Sequence, residues 1–427
     1  MENNFNSIIP INLSTEVLLL IGIFAVVLFL VFSIKEFDKK WKYKIFTICI
    51  SWCLFLLFVF PPHGFNYNIY TYNAELTINH QKAFGRKDSI AVPLKVGWRR
   101  STYFDYTGFQ HLIYVGLTYI NNVTKKLKFR GLGFQLWFYF TFVGLISIIF
   151  YRSQRNSGED ISQFFLPAIV LTFHPVFSAY WIVYNWQDKV IFILIPVLVI
   201  YLIEKKEYSK ASFIVGLSIA WNGILIFFVP AILIYFYRVD RKNFIKNINF
   251  FLIGFILATI PFFPASLSNW KNRVFRMDNY VPFWYSIYKL FPYEVYSPQF
   301  NKLITIFLAV LFNLLYYFKR ICIADMAIAS ICIVIMLGSF NYIARYIPVL
   351  FIIIYLTPQI TKYDWLIFSF VLGLLFLINI NTQSNQTTFL QTLLFHIPFI
   401  YVIILYIKRR IKYPLPTSWA DHETVKA

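Results

Sequence analysis

The sequence has 427 residues, of which 59% are hydrophobic and only 14% are charged, and its mean hydropathy is +0.62. This balance excludes an ordinary water-soluble globule, whose surface needs more charge than the chain carries. The formal net charge of +20 suggests nucleic acid at first sight. The basic residues fall mostly in short connections between apolar runs, however, which is the pattern that orients membrane proteins, so we expect no nucleic-acid partner.

Apolar runs recur along almost the whole chain and are comparable in length with the roughly 20 residues that a membrane-spanning helix needs. About thirteen candidate spans result, so the sequence predicts an all-α polytopic membrane protein. We expect one membrane domain at 1–412 and a cytoplasmic tail at 413–427. The candidate spans are Ser14–Ile34, Ile45–Phe60, Phe134–Tyr151, Phe164–Ile182, Lys189–Ile203, Ala211–Trp221, Ile224–Tyr237, Ile248–Phe263, Leu303–Phe318, Ala324–Gly338, Tyr342–Leu356, Trp365–Ile380 and Phe389–Ile407.

Basic residues in the short connections predict the orientation, because Lys and Arg collect on the cytoplasmic side. The run Lys35–Lys44 places the first connection inside and therefore the N-terminus outside. The later short basic connections also fall inside if Ala211–Tyr237 forms two short helices divided at Trp221-Asn222-Gly223. We therefore predict a multi-pass cell-membrane protein with an outer N-terminus and a cytoplasmic C-terminus.

Two connections on the outer side are long, at 61–133 and 265–302. The first contains a candidate amphipathic helix at Phe109–Ile120, followed by the basic residues of 125–130. Aromatic rings together with basic side chains are typical of segments that lie at the membrane interface. The predicted fold therefore includes interfacial helices in the first outer loop.

That loop contains a carboxylate that is a candidate catalytic group. Asp105 precedes the amphipathic helix and follows the basic pair Arg99 and Arg100. A carboxylate beside basic residues can act as a general base next to a phosphate site. The same residue can equally be a salt-bridged loop aspartate.

Two further outer positions are candidates for ligand contact. Asp188, a further candidate catalytic carboxylate, lies in a tight turn between Gln187 and Lys189, which predicts either the mouth of a cavity or a solvated turn. Arg345, followed by Tyr346, stands at the outer entrance of a predicted helix. A guanidinium there can hold a phosphate through paired hydrogen bonds, or it can extend to the membrane interface.

The arrangement resembles the GT-C superfamily of membrane glycosyltransferases, and within it the polyprenol-phosphate-mannose-dependent mannosyltransferases of glycosylphosphatidylinositol and phosphatidylinositol-mannoside synthesis. The best-matching stretch, Asn185–Tyr237, is similar to a recurrent pattern of helix, basic turn, Gly-Leu helix and Pro-bearing helix. The entrance Arg345-Tyr346-Ile347-Pro348 is also similar, as is Tyr103–Leu112 at the end of the first loop. The resemblance covers most of the chain in architecture.

The resemblance implies an inverting glycosyltransferase that moves a hexose, such as mannose, from a polyprenyl phosphate to a glycan or glycolipid acceptor on the extracytoplasmic face. Members usually carry an early Asp in the first outer loop, where this chain has Asn66 and Asn68. Glu75, Asp88 or Asp105 must then serve as the base, or the activity is lost. Arg345 with Arg99 or Arg100 would bind the donor phosphate, so no metal or other cofactor is required.

Two other functions fit the same sequence. One is a polymerase of lipid-linked polysaccharide repeat units, which would share the many helices and the basic outer loop. The other is a flippase or transporter of a lipid-linked or small anionic substrate, for which two matching broken helices would be expected.

Overall fold

A computed structural model of the chain describes residues 13–33, 39–59, 65–79, 90–94, 97–101, 108–125, 131–154, 161–178, 189–222, 225–263, 267, 298–338, 343–381 and 389–413. The chain divides into two compact units. The first comprises 1–104 and 111–188, and the second comprises 105–110 and 189–427. The predicted single domain at 1–412 and tail at 413–427 stay a prediction.

The first unit contains helices and one hairpin of strands. Its elements are α1 Leu13–Ser33, α2 Lys39–Val59, α3 Phe65–Ile78, β1 Ile90–Leu94, β2 Gly97–Ser101, α4 Gly108–Lys125, α5 Leu132–Ser153, a π-helical turn Ile161–Phe165, α6 Leu166–Phe173 and α7 Pro175–Ser178. The first residues of α4 group with the second unit. Strands β1 and β2 pair antiparallel, with Val92 opposite Arg99.

The second unit is helical throughout its described residues. Its elements are α8 Lys189–Glu204, α9 Tyr208–Asn222, a 3₁₀ turn Ile226–Phe228, α10 Val229–Val239, a 3₁₀ turn Arg241–Asn243, α11 Phe244–Thr259, α12 Pro298–Tyr317, α13 Ile323–Gly338, α14 Ile343–Leu356, α15 Lys362–Asn381 and α16 Phe389–Lys412. Helix occurs within every predicted apolar segment. The prediction of a helical fold is therefore confirmed, although it did not include the β1–β2 hairpin.

The predicted helix Phe164–Ile182 is not continuous. It begins as a π-helical turn, runs as α6 and stops at His174, whose backbone is extended at φ −63° and ψ 129°. Pro175 follows and starts the short α7. A residue before proline avoids the helical region because the proline ring crowds its backbone, so the break is local in origin. Beyond the break, the backbone N–H of Ser178 donates to the carbonyl of His174, four residues earlier. This helical hydrogen bond spans the short α7.

The predicted division of Ala211–Tyr237 is confirmed. Helix α9 ends at Asn222, and helical structure resumes at Ile226. Helices α9 and α11 lie parallel, because Ser209 near the start of α9 bonds to Asn247 near the start of α11, and one to two turns further along both helices Gly216 and Gly254 meet the facing backbone. Two parallel helices joined through α10 require α10 to run in the opposite direction. The segment is therefore two passes of the chain.

Basic connections of the second unit gather at one end. Ser209 Oγ donates to Asn247 Oδ1 across 2.8 Å, and Asn247 Nδ2 donates to Asp240 Oδ2 across 3.1 Å. Arg238 Nη2 donates to the backbone carbonyl of Tyr317 across 2.6 Å. These bonds join the start of α9, the turn from α10 to α11 and the end of α12, next to the basic residues that the sequence assigns to one side of a membrane.

Several helices expose a continuous apolar face. On α16 the exposed isoleucines recur at alternating intervals of three and four residues, which is one face of a helix, and α11 and α12 expose similar rows. The α16 residues are Ile397, Ile400, Ile404, Ile407 and Ile411. Among the described residues one helix, Leu132–Ser153, is long and apolar enough to cross a membrane, while other apolar helical stretches are shorter, at 10–17 residues.

Candidate active site between helices α3 and α4

Helices α3 and α4 of the first unit pack through aromatic rings. The rings of Tyr70 and Tyr114 are stacked with centroids 4.3 Å apart and planes inclined by 9°. Tyr114 also stacks on Phe134 at the start of α5, with centroids 5.8 Å apart. Asn121 Oδ1 accepts a hydrogen bond of 2.7 Å from the backbone N–H of Gly133. These contacts fix α4 between α3 and the beginning of α5.

Burial along α4 is the reverse of that in a helix on a water-soluble protein. Its polar residues Gln110, His111, Thr118 and Asn121 are buried. Its exposed face carries large apolar side chains instead: Leu112, Tyr119, Ile120 and Val123 are 45%, 61%, 39% and 52% exposed. Residues 112, 119 and 123 are separated by seven and four positions, so they line one face of the helix. A helix of this kind suits an apolar surrounding outside and a polar site inside.

His111 belongs to the polar side of this packing. It is fully buried, and its Nε2 is hydrogen-bonded to Thr77 Oγ1 of α3 at 2.8 Å. Burial lowers the pKa of His111 to about 4, because a charged imidazole would lose its hydration there. At neutral pH the ring is therefore uncharged and links α3 to α4 as a hydrogen-bonding group.

Glu75 provides the carboxylate of the site. It lies on α3, half-buried, next to the fully buried Ala74. Partial burial raises the pKa of Glu75 above its ordinary value, and the positive charge of Lys125 opposes this shift without cancelling it. A carboxylate with a raised pKa holds a proton more readily than an ordinary surface glutamate, which is the property of a general base.

One buried polar atom on α3 and one on α4 remain available to a ligand. Within the described residues the amide oxygen of Asn73 and the hydroxyl of Thr118 have no hydrogen-bond partner, although these residues are only 2% and 1% exposed. Asn73 stands two residues before Glu75 on α3, and Thr118 stands on the buried side of α4. A group rich in hydroxyls could satisfy them.

The structure describes only some of the remaining predicted site residues. Arg99 and Arg100 lie on β2, and β1 of the same hairpin contacts α3, so the basic pair stands on an element next to the helix of Glu75. In the second unit, Lys189 is the first residue of α8, and Arg345 and Tyr346 lie in the first turn of α14. The predicted Asp105, Asp188 and Gln187, together with Asp88, fall outside the described residues.

A second polar cluster lies at the basic end of the second unit. Asp325 accepts hydrogen bonds from the backbone N–H of Cys322, from Arg410 and from the hydroxyl of Tyr406. Nearby, Asp364 Oδ2 accepts from Arg409 Nη2 at 2.6 Å and from the backbone N–H of Thr361 at 2.8 Å. Both aspartates are buried at helix starts and paired with arginines. This arrangement fastens helices together rather than offering a reactive group.

Sequence reasoning missed this cluster, although part of it carries a signal. Thr361 and Asp364 form a reciprocal cap at the start of α15, since the N–H of each residue is bonded to the side chain of the other. A Thr followed three residues later by an acid is the sequence mark of such a cap. The pairing with Arg409, 45 positions away, has no local signal.

No family model matches the chain, and no curated protein matches its sequence. In the part of the chain that the structure describes, no group of three or more His, Cys, Asp or Glu residues is arranged to hold a metal ion.

Proposed function

We propose that the protein is a polytopic membrane protein with the predicted thirteen spans, an outer N-terminus and a cytoplasmic C-terminus. The exposed isoleucine face of α16 and the similar faces of α11 and α12 support this, because water would penalise such large apolar surfaces whereas lipid would not. The gathering of basic connections at one end of the second unit also supports it.

Within that membrane protein, we propose a GT-C-like glycosyltransferase that uses a polyprenyl-phosphate sugar on the extracytoplasmic face. One observation carries this proposal: the half-buried carboxylate of Glu75 lies on α3, the helix that packs against α4, and α4 has an exposed apolar side. A donor that dissolves in lipid needs a reactive group near an apolar surface. A sugar acceptor needs a base within hydrogen-bond reach of its hydroxyl.

The reaction assigned to this site is a single displacement. Glu75 takes the proton from the acceptor hydroxyl. At the same time the oxygen of that hydroxyl forms a bond to the anomeric carbon of the sugar. The bond between that carbon and the phosphate oxygen breaks at the same time, and polyprenyl phosphate leaves with the electron pair. One displacement inverts the anomeric configuration.

Other residues share these roles in the proposal. Asp105 is the second candidate base, and Asp188 with Gln187 and Lys189 would contact substrate from the second predicted outer turn. Arg345, helped by Arg99 or Arg100 and flanked by Tyr346, would stabilise the negative charge that develops on the departing phosphate. Because these side chains can supply the positive charge, the proposal needs no metal or other cofactor.

Sugar transfer in isolated membranes tests the proposal. Membranes that contain the full chain are supplied with radiolabelled polyprenyl-phosphate mannose and the organism's own lipid-linked glycans. Loss of a general base should lower the transfer rate by about 10²–10⁴-fold in Glu75→Gln or Asp105→Asn. Glu207→Gln is the matched control, because Glu207 is an exposed carboxylate in the second unit. Full transfer by the double variant Glu75→Gln, Asp105→Asn would refute both proposed bases.

The structure also gives an argument for transport as the second candidate. Helical structure is interrupted at His174 in the first unit and after Asn222 in the second. Interrupted helices in both halves of a protein are common at transporter binding sites. Flipping of lipid-linked sugar by purified protein in liposomes, without transfer to an acceptor, would favour this function, whereas loss of a ladder of long glycans on deletion would favour a polymerase.

A further inference from the structure

Helix α12 carries an apolar stripe on its exposed face. The members of the stripe are large side chains, between 47% and 65% exposed, and they are separated by four and three positions in turn, so they line one face of the helix. They are Leu303, Phe307, Val310, Leu314 and Tyr317. The stripe advances by about 21 Å at 1.5 Å per residue, whereas one half of a bilayer contains roughly 15 Å of hydrocarbon. In the proposed membrane it is long enough to accompany an acyl chain through one leaflet.

Arg238 of α10 lies against the last residue of this stripe. Its Nη2 donates to the backbone carbonyl of Tyr317 across 2.6 Å, and the carbon of its guanidinium lies 5.5 Å from the centre of the Tyr317 ring. The same carbon lies 5.8 Å from the centre of the ring of Tyr316, which is fully buried. The guanidinium therefore lies at the edge of the stripe, where the exposed face of α12 meets α10. Asn313 also bonds to the carbonyl of Phe227, just before α10, and so fixes the same edge.

The charge of Arg238 is not paired with a carboxylate among the described residues. Within that part of the chain its hydrogen bond to Tyr317 is the one it makes, and its Nη1 atom is buried without a partner. Asp240, two positions further on, is instead hydrogen-bonded by Asn243 and Asn247. A charged donor without an acceptor is costly, so the remaining N–H groups favour an anionic oxygen.

Further positive charge lies at the same corner. Lys319 and Arg320 follow the end of the stripe and are exposed. Arg241 is exposed as well, and its guanidinium lies 5.3 Å from the centre of the ring of Tyr237. A guanidinium can hold a phosphate through paired hydrogen bonds, and basic pockets between helices on the cytoplasmic side are typical sites for anionic lipid heads. An apolar stripe that ends at an unpaired guanidinium complements such a lipid.

We propose that the corner between α10 and α12 binds an anionic phospholipid of the cytoplasmic leaflet, with its phosphate on Arg238 and an acyl chain along Leu314 and Val310. This inference rests on the membrane part of the function proposed above and is independent of sugar transfer. A free phosphate ion would gain nothing from the stripe, and a zwitterionic lipid would bring a positive charge to a corner that is already basic. The proposal therefore commits to an anionic phospholipid.

Binding of radiolabelled phosphatidylglycerol to the full-length protein in micelles of detergent and phosphatidylcholine provides the test. Arg238→Gln should weaken binding by at least about tenfold, the factor that corresponds to 1.4 kcal/mol. Arg238→Lys keeps the charge and a donor for the Tyr317 carbonyl but lacks paired N–H groups, so its affinity should be intermediate. Lys210→Gln is the control, because Lys210 is an exposed lysine at the same basic end and is paired with Glu207.

Two leucines test the stripe without a change to Arg238. Leu314 on the stripe and Leu257 on α11 are both 47% exposed. Leu314→Asn should weaken binding several-fold, because it places an unsatisfied amide beside the acyl chain, whereas Leu257→Asn should leave the affinity unchanged. This pair of variants decides for or against the site even if Arg238→Gln does not fold.

The inference and the membrane proposal fail in different ways. Unchanged affinity in Arg238→Gln, an equal loss in Lys210→Gln, or displacement of the lipid by inorganic phosphate would each overturn the site. The membrane part of the proposed function would still stand if alkaline carbonate does not release the chain from cell membranes. Release by carbonate would refute that part, whatever the affinity of Arg238 for lipid.

Discussion

Arg410 Nη2 donates to Asp325 Oδ2 across 2.9 Å, which joins the last turn of α16 to the first turn of α13. The side chains are only 17% and 10% exposed, and Tyr406 bonds to the same carboxylate. This ion pair therefore holds the end of α16 against the start of α13. The neighbouring pair of Arg409 and Asp364 joins α16 to α15 in the same way.

Removing one partner of this pair should destabilise the second unit. Asp325→Asn leaves Arg410 without its charge partner and should lower the free energy of unfolding by about 3 kcal/mol, since a lone buried charge is costly. The thermal midpoint in detergent measures the effect. Glu207→Gln breaks an exposed pair with Lys210 and should cost less than about 1 kcal/mol. Equal losses in the two variants would contradict the importance of burial.

The close approach of α9 and α11 predicts a strong effect of very small substitutions. An added Cβ at Gly216 or Gly254 would collide with the backbone of the facing helix. Gly216→Ala or Gly254→Ala should therefore cost about 1–3 kcal/mol, the usual range for overpacking. Gly22→Ala and Gly373→Ala are the controls, because nothing lies within 4 Å of a Cβ there. These controls should be stabilising by about 0.5–1 kcal/mol, as alanine in a helix usually is relative to glycine.

His111 should make the first unit sensitive to acid. Its pKa is about 4 in the folded protein and near the ordinary 6.5 after unfolding. Between these values the unfolded chain binds more protons, so stability falls as the pH is lowered from 6.5 towards 4. The loss can reach about 3 kcal/mol at 1.36 kcal/mol per pKa unit. Unfolding midpoints at pH 7.5 and pH 4.5 measure it.

Two variants identify His111 as the source of that dependence. His111→Gln keeps a hydrogen-bonding group towards Thr77 but does not titrate, so the loss on acidification should shrink. Thr77→Val removes the bond of 2.8 Å without removing the imidazole, so the loss should remain. Glu75 acts in the opposite sense, because its raised pKa weakens the folded state as the pH rises above 4.5.

The proposed orientation can be measured by cysteine labelling in intact cells. Asn79→Cys should react with a membrane-impermeant maleimide, because this position is exposed and lies in the predicted first outer loop. Exposed positions of the basic connections should react only after permeabilisation: Lys40→Cys, Lys210→Cys, Lys319→Cys and Lys412→Cys. Native Cys49, Cys53 and Cys322 are buried, so a Cys332→Ser background suffices. Labelling of Lys319→Cys from outside would reverse the topology of the second unit.

Helices and their order were accessible from the sequence because apolar runs and basic connections are local patterns. The division at Asn222 was also accessible, since a polar residue and Gly223 interrupt an apolar run. The break at His174 also has a sequence signal in Pro175, because the residue before a proline avoids the helical region, but a prediction based on hydropathy alone does not register it. The β1–β2 hairpin lacks the alternation that would have indicated strands.

The candidate site shows a second limit of prediction from sequence. Sequence alone indicated that α4 is amphipathic, but amphipathicity does not say which face is buried, and here it is the polar one with His111 and Asn121. Burial raises the pKa of Glu75 on α3 and the charge of Lys125 on α4 opposes this shift, although the two residues are far apart in the sequence. Pairs such as Arg410 and Asp325, separated by 85 positions, depend on tertiary packing and leave no local trace.

If α9 and α10 lie in the proposed membrane, their short length affects the bilayer around them. Helix α9 has 15 residues, which makes it about 22 Å long. The 3₁₀ turn of 3 residues and the 11 residues of α10 return over a similar distance. A hydrocarbon layer is about 30 Å thick, so a hairpin anchored at its basic end turns back before it reaches the far surface. In the proposed membrane, lipid on that side would thin locally or water would enter above Asn222, and a polar depression would form there.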